Sequence, residues 1–185
     1  MSKLLIFLLF MPIIVHGQEK LVKTKISDEI TVSLPKNFYA MSQSDMAQRY
    51  PSVRKPVGAY TNDARMVDFS VNISATQWRE SDVEIAKEFF KASLVNLYDR
   101  VNFIQEDIKV INNRKFIVFE FESRIEGDRL SLDKKEPIRK YTYIQYLIMN
   151  GKTLVFSFNS PVQLKGQWQP VVPEIMNSVK VKNGI

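Results

Sequence analysis

The sequence predicts an α+β fold, an antiparallel sheet sandwiched between helices, and three observations carry that expectation. Asn112-Asn113 and Asn150-Gly151 are two-residue hairpin signals, each set between long strand-like runs. Those runs are apolar on both sides. Ile117, Phe119 and Phe121 point one way and Phe116 and Val118 the other, sharing their face with Glu120; Tyr141, Tyr143 and Leu147 oppose Ile144, Tyr146 and Ile148. Strands of that kind are covered on both faces. Two helical stripes can do the covering, one starting at Val83 and one within Gln167 to Val179.

Taken in order, the chain opens on what reads as export machinery. Lys3 is a short positive region, Leu4 to Val15 is an uncharged apolar run broken by Pro12, and Val15-His16-Gly17 offers small residues before a cleavage ahead of Gln18. The apolar run is shorter than the roughly 20 residues a spanning helix needs. No cysteine follows it, which excludes lipoprotein processing. Residues 1–17 are therefore expected to be a signal peptide, 18–29 a polar lead-in, and 30–182 a single domain that is periplasmic or extracellular after cleavage.

Ile30-Thr31-Val32-Ser33-Leu34 alternates as a strand and stops at Pro35. Ser44 to Tyr50 predicts one or two helical turns, with Ser44 as N-cap and Pro51 as stop. Val57 to Thr61 is a brief strand. Val67 to Ile73 alternates strictly and is expected to pair with it across Asn62-Asp63. Ser81-Asp82-Val83-Glu84 fits a capping box at the head of the main helix. Its stripe is Val83, Ala86, Phe90, Leu94 and Leu97, reinforced by Phe89, with Glu84, Lys87, Glu88 and Lys91 opposite. The hairpins run from Phe103 to Ile125 and from Arg139 to Phe158, separated by the polar stretch Glu126 to Ile138. Trp168, Val171, Val172, Ile175 and Met176 form the stripe of one closing helix, with Pro170 and Pro173 at its start.

Short segments along this order, Leu34-Pro35-Lys36-Asn37-Phe38, Arg49-Tyr50-Pro51, Ala59-Tyr60-Thr61-Asn62, Val67-Asp68-Phe69, Ala75-Thr76-Gln77-Trp78-Arg79 and Asn96-Leu97-Tyr98-Asp99, together with the two late hairpins and closing helix, resemble the PsbP-like fold. That α/β/α sandwich is shared by the extrinsic photosystem II subunit, a Ran-binding import factor and bacterial envelope proteins such as DcrB. Within it the chain is similar to a group of exported bacterial proteins. The resemblance implies adaptor, assembly or binding work and carries over no catalytic residue.

Composition excludes much chemistry. The chain has no cysteine and one histidine, His16, inside the predicted leader. A mature domain without either forms no disulfide, no Ser-His-Asp triad, no cysteine nucleophile and no usual zinc site. With only six glycines it has neither a GxGxxG nor a phosphate-binding P-loop, so no cofactor is expected. The net charge of +6 is dispersed, with no basic run that would point to nucleic acid. Twelve phenylalanines, seven tyrosines and two tryptophans imply a core built on aromatics.

Four groups of residues invite a functional reading. Arg49, Arg54, Lys55 and Arg65 flank Tyr50 and Tyr60, and guanidinium forks beside aromatic rings bind carboxylate, phosphate or an acidic patch. Trp78 and Arg79 precede the main helix and would make an interface anchor if exposed, or a plug of the core if not. Glu120 and Glu122 share one strand face, as a glycoside-hydrolysing carboxylate pair would, although two acids on a solvated strand edge are the simpler reading. Glu126, Asp128 and Asp133 could gather calcium but lack the EF-hand spacing. The candidate partner or anion site is thus Arg49, Arg54, Lys55, Tyr60, Trp78 and Arg79, with no catalytic or metal residue assigned. The expected function is a non-enzymatic exported binding or assembly factor of the bacterial envelope, acting on an envelope protein or a small ligand. The alternatives are a small-molecule or lipid carrier with an aromatic cavity and a carboxylate-dependent hydrolase.

Overall fold

A computed structural model describes residues 20–50, 55–126 and 136–184. The predicted leader with His16, and also Arg54, Asp128 and Asp133, lie outside the described residues.

The late hairpins form the centre of the molecule. β6 (Arg100–Ile111) and β7 (Arg114–Ile125) turn at Asn112 and Asn113, and β8 (Ile138–Met149) and β9 (Lys152–Pro161) turn at Asn150 and Gly151. All four turn residues have positive φ, from 49° to 69°, the backbone that a tight two-residue hairpin requires and that Asn and Gly tolerate best. Around them a seven-stranded sheet runs in the order β3-β4-β5-β9-β8-β7-β6, where β3 is Phe38–Ala40, β4 Gly58–Asn62 and β5 Asp68–Ile73. Every pairing in it is antiparallel.

Both faces of this sheet are covered. On one face Ile117, Phe119, Phe121, Tyr146 and Ile148 meet the main helix α2 (Val83–Leu97) through Val83, Ala86, Phe90 and Leu94. On the other face Phe116, Val118, Tyr141, Tyr143, Leu147, Phe156 and Phe158 meet Trp168, Val172, Ile175 and Met176 of the C-terminal segment, and also Ile30, Val32 and Leu34 of β2 (Ile30–Pro35). The described fold is therefore the α+β sandwich predicted, with a covering layer on the second face that is part helix and part strand.

Five local expectations are corrected. The segment 18–29 holds β1 (Leu21–Lys25), which pairs with β2 in a three-stranded sheet completed by β10 (Lys180–Val181). β1 is an exposed, lysine-rich strand on a sheet rim, so it lacks the apolar alternation by which strands are read. Helix α1 (Gln43–Arg49) is capped by Ser42, whose hydroxyl accepts from Asp45 N at 3.1 Å, and not by Ser44. No side chain caps α2. Ser81 donates instead to Asp82 Oδ1 at 2.8 Å within a 3-10 turn, Glu80–Asp82, so the capping box is not made. Leu97 and Phe89 are 67% and 43% exposed; past the helix end Tyr98 fills the space over Phe121 that the stripe assigned to Leu97. The closing helix is two short ones, α3 (Lys165–Trp168) and α4 (Val172–Asn177). The break falls at Pro170, which has no N–H to continue a helix, and Pro173 starts α4.

Candidate functional site

Among the described residues, the members of the sequence-derived cluster do not meet in one place. Arg49 pairs with Asp68 of β5 at 2.6 Å and donates to the Arg65 carbonyl at 2.7 Å, while Arg65 pairs with Asp45 of α1. These forks clamp α1 to the sheet and are already occupied. Burial, with the Asp68 carboxylate second, pushes the Tyr50 phenol up to about 12. Tyr60 is half-buried against the β2 side of the core, its hydroxyl donating to Lys25 O at 3.3 Å. Trp78 packs against the other side, 5.3 and 6.1 Å from Phe89 and Phe90, with Nε1 donating to Thr76 Oγ1 at 3.1 Å. It is a half-buried plug on α2. Lys55 and Arg79 are exposed. Arg49 thus sits at the Asp68 end of β5, Trp78 beyond its Ile73 end, and Tyr60 across the sheet.

What the fold does bring together is a polar area on the β2 side of β6, β7 and β8. A bulge between Phe103 and Gln105 shifts the register of β6, so that Gln105 lies opposite Glu120 and Asn102 opposite Glu122. Across β7, Glu120 faces Tyr143 and Glu122 faces Tyr141. The result is two adjacent rows on one face, Gln105-Glu120-Tyr143 and Asn102-Glu122-Tyr141. Helix α3 leans over them from the C-terminal segment.

Glu120 is the buried anchor, 6% exposed on a strand paired on both sides. It therefore does not lie on a solvated edge. Its Oε1 accepts from Tyr141 Oη at 3.1 Å and from Gln169 Nε2 at 2.7 Å. Glu122 is half-exposed and held by Lys165 of α3 at 2.6 Å. On β6, Lys109 Nζ donates to Gln105 Oε1 at 3.0 Å and to Tyr143 Oη at 3.3 Å. Both carboxylates are thus engaged by neighbours, and nothing in the arrangement frees one as a nucleophile or acid. Glu126 is likewise paired, with Arg124, and no three carboxylates among the described residues are placed to hold a metal ion.

Burial, with the carboxylates of Glu120 and then Asp107, pushes the Tyr143 phenol up to about 12. The ordinary value is about 10, so the folded state keeps this proton longer than the unfolded chain does. The resulting stabilisation is complete below pH about 10 and lost as pH rises toward about 12. Urea midpoints are expected to fall across that window, and less steeply in Tyr143→Phe than in the parent; equal slopes would refute the assignment.

The aromatic side chains are spent on packing. Trp168, Phe38 and Phe158 pack against one another with ring centroids 5.3 to 6.4 Å apart on one face, and Phe90 lies on Tyr146 at 4.0 Å on the other. A hollow of about 300 Å³ beside the start of α2 is lined by Glu80, Val83, Asn113, Arg114, Lys115, Leu147 and Ile148, none aromatic. The aromatic cavity that a carrier would need is not what this hollow supplies.

No family model and no curated protein sequence matches the chain. Solved structures do. The solution structure of cyanobacterial PsbP (CyanoP) from Synechocystis superposes with a TM-score of 0.54 at 13% identity, covering 91% of this chain and 96% of that one. The Ran-binding protein Mog1p of Saccharomyces cerevisiae gives 0.58 at 14% identity, over 88% and 96% of the two chains. LpqN of Mycobacterium tuberculosis, involved in cell envelope biogenesis, gives 0.51 at 9% identity, over 88% and 91%. At these identities the likeness is one of fold. The resemblance read from the sequence holds at that level, and the chain has the PsbP-like fold.

Proposed function

We propose that this chain is an exported, non-enzymatic accessory or assembly factor of the bacterial envelope, and that it binds a partner protein through the polar area on β6, β7 and β8. The observation that carries the reading is the structure of that area. A buried carboxylate, Glu120, fixes Tyr141 and Gln169, while exposed Asn102 and half-exposed Gln105, Lys109, Glu122 and Lys165 stand around it. Polar side chains held in place by buried hydrogen bonds lose little freedom when a partner arrives, which favours recognition. Both carboxylates being engaged supports binding over hydrolysis. The fold is shared with a Ran-binding protein and with a protein involved in cell envelope biogenesis, which is compatible with an accessory role. No helix among the described residues is long and apolar enough to cross a membrane, and the predicted leader supports export.

Site-specific photo-crosslinking in the native cell tests the reading. A benzoylphenylalanine at Asn102 is expected to give one reproducible protein adduct, and one at Lys152, an exposed residue at the start of β9, is expected to give none. Sequencing of the recovered protein is expected to start at Gln18. No adduct at Asn102, or the same adducts at both positions, would reject the binding face; an intact leader would reject export.

A further inference from the structure

The row beyond Asn102-Glu122-Tyr141 is made of three arginines. Arg100 pairs with Arg124 across β6 and β7, and Arg124 with Arg139 across β7 and β8. All three belong to the same face as Glu122, because each stands two residues along its strand from a member of that row. Neighbouring strands are about 4.8 Å apart, so three guanidinium groups stand side by side over roughly 10 Å. Like charges directly opposite each other destabilise a sheet. Nothing in the packing requires them, since Arg100 and Arg139 are exposed and Arg124 is only partly covered.

Among the described residues their charge is not balanced locally. Glu126 is the single carboxylate paired with the row among the described residues. Arg124 Nη2 donates to its Oε2 at 3.1 Å, and Nε lies 3.0 Å from Oε1 without hydrogen-bond alignment, leaving a buried N–H without an aligned acceptor. Asp99 turns its carboxylate to the Glu126 amide at 2.7 Å, and Glu122 is held by Lys165. Arg100 and Arg139 have no ion pair among the described residues. A hollow of about 120 Å³ opens here, lined by Arg100, Asn102, Glu122, Ser123, Arg124 and Arg139.

We infer that this arginine row is a binding site for a phosphate group. A planar carboxylate is satisfied by a single guanidinium fork. A tetrahedral phosphate offers more acceptor oxygens in more directions and takes forks from several arginines together. The hollow, at about 120 Å³, has room for one such group. The chemistry is the same whether the phosphate belongs to a soluble ester or to a lipid headgroup. This inference goes beyond the protein-binding reading and does not depend on it: Asn102 also lines the hollow, but the phosphate titration reads the arginine signals of the parent chain and needs no partner protein.

The test is a titration of the ¹⁵N-labelled protein with inorganic phosphate, following the arginine Nε–Hε signals, against sodium chloride at matched ionic strength. Saturable movement of the Arg100, Arg124 and Arg139 signals with phosphate and not with chloride is expected. Arg100→Gln with Arg139→Gln is expected to weaken the interaction at least tenfold while leaving the melting temperature unchanged or raised, and Lys152→Gln is expected to change nothing. Co-sedimentation with vesicles of phosphatidylglycerol and phosphatidylcholine, against phosphatidylcholine alone, distinguishes the sources. Co-sedimentation that needs the anionic lipid and is lost in the double variant assigns the site to a headgroup. Saturable phosphate binding without co-sedimentation assigns it to a soluble ester. Equal response to chloride, unchanged affinity in the double variant, or no response in either format overturns the inference.

Discussion

Phe90→Ala is expected to lower the free energy of unfolding by about 3–5 kcal/mol, the range for truncating a buried phenylalanine, measured as a drop in urea midpoint at unchanged slope. Phe90 is 4% exposed and lies parallel to Tyr146 at 4.0 Å and 6°, with Trp78 and Phe89 edge-on at 6.1 and 5.6 Å. Helix α2 reaches the sheet through only four buried side chains, Val83, Ala86, Phe90 and Leu94, and Phe90 is the largest of them. Its removal leaves a cavity between a helix and a sheet, both rigid, which close on it poorly. The gain in helix propensity on going to alanine is worth only tenths of a kcal/mol. Phe89→Ala is the control. That ring is 43% exposed, and its loss is expected to cost about 1 kcal/mol or less. Equal losses for the two would mean that α2 is not seated on the sheet through Phe90.

The difference between those two adjacent phenylalanines also marks where the sequence stops being readable. Alternation along β7 and β8 assigns each residue to a face because side chains in a strand alternate strictly, and the two buried clusters divide as that alternation requires. A helical stripe is broader, and Phe89 and Leu97 fall near its margin, where only the position of the sheet edge decides burial. β1 was illegible because its energy comes from backbone pairing with β2 and not from an apolar face. The arginines of the site were invisible for a different reason. Arg100, Arg124 and Arg139 are separated in the chain, and only the register of the β6–β7 hairpin with its bulge after Phe103, and the pairing of β7 with β8, align them. Glu120 and Glu122 could be placed on one face from their spacing, whereas the burial of Glu120 depends on Gln169, which arrives from the C-terminal segment.

That buried carboxylate carries the second large expected effect. Glu120→Ala leaves Tyr141 Oη and Gln169 Nε2 without their acceptor. An unsatisfied buried donor costs about 1–3 kcal/mol, and with two affected the expected loss is about 2–4 kcal/mol, somewhat relieved because Gln169 is half-exposed and reaches water. Glu120→Gln keeps an acceptor oxygen and is expected to lose much less. Glu120→Leu separates hydrogen bonding from volume, since it fills the space and still strands the Tyr141 hydroxyl. Tyr141→Phe removes that hydroxyl. In the parent it is expected to destabilise, and in the Glu120→Leu background to be neutral or stabilising, a coupling that a double-mutant cycle in urea reads directly. Additive losses would mean that Glu120 does not hold Tyr141. The same series bears on recognition, because Gln169 and Lys165 belong to one segment that spans both carboxylates. If Glu120 is the anchor of the polar face, Glu120→Gln keeps the adduct formed from position 102, while Glu120→Ala loses it at temperatures where the protein is still folded.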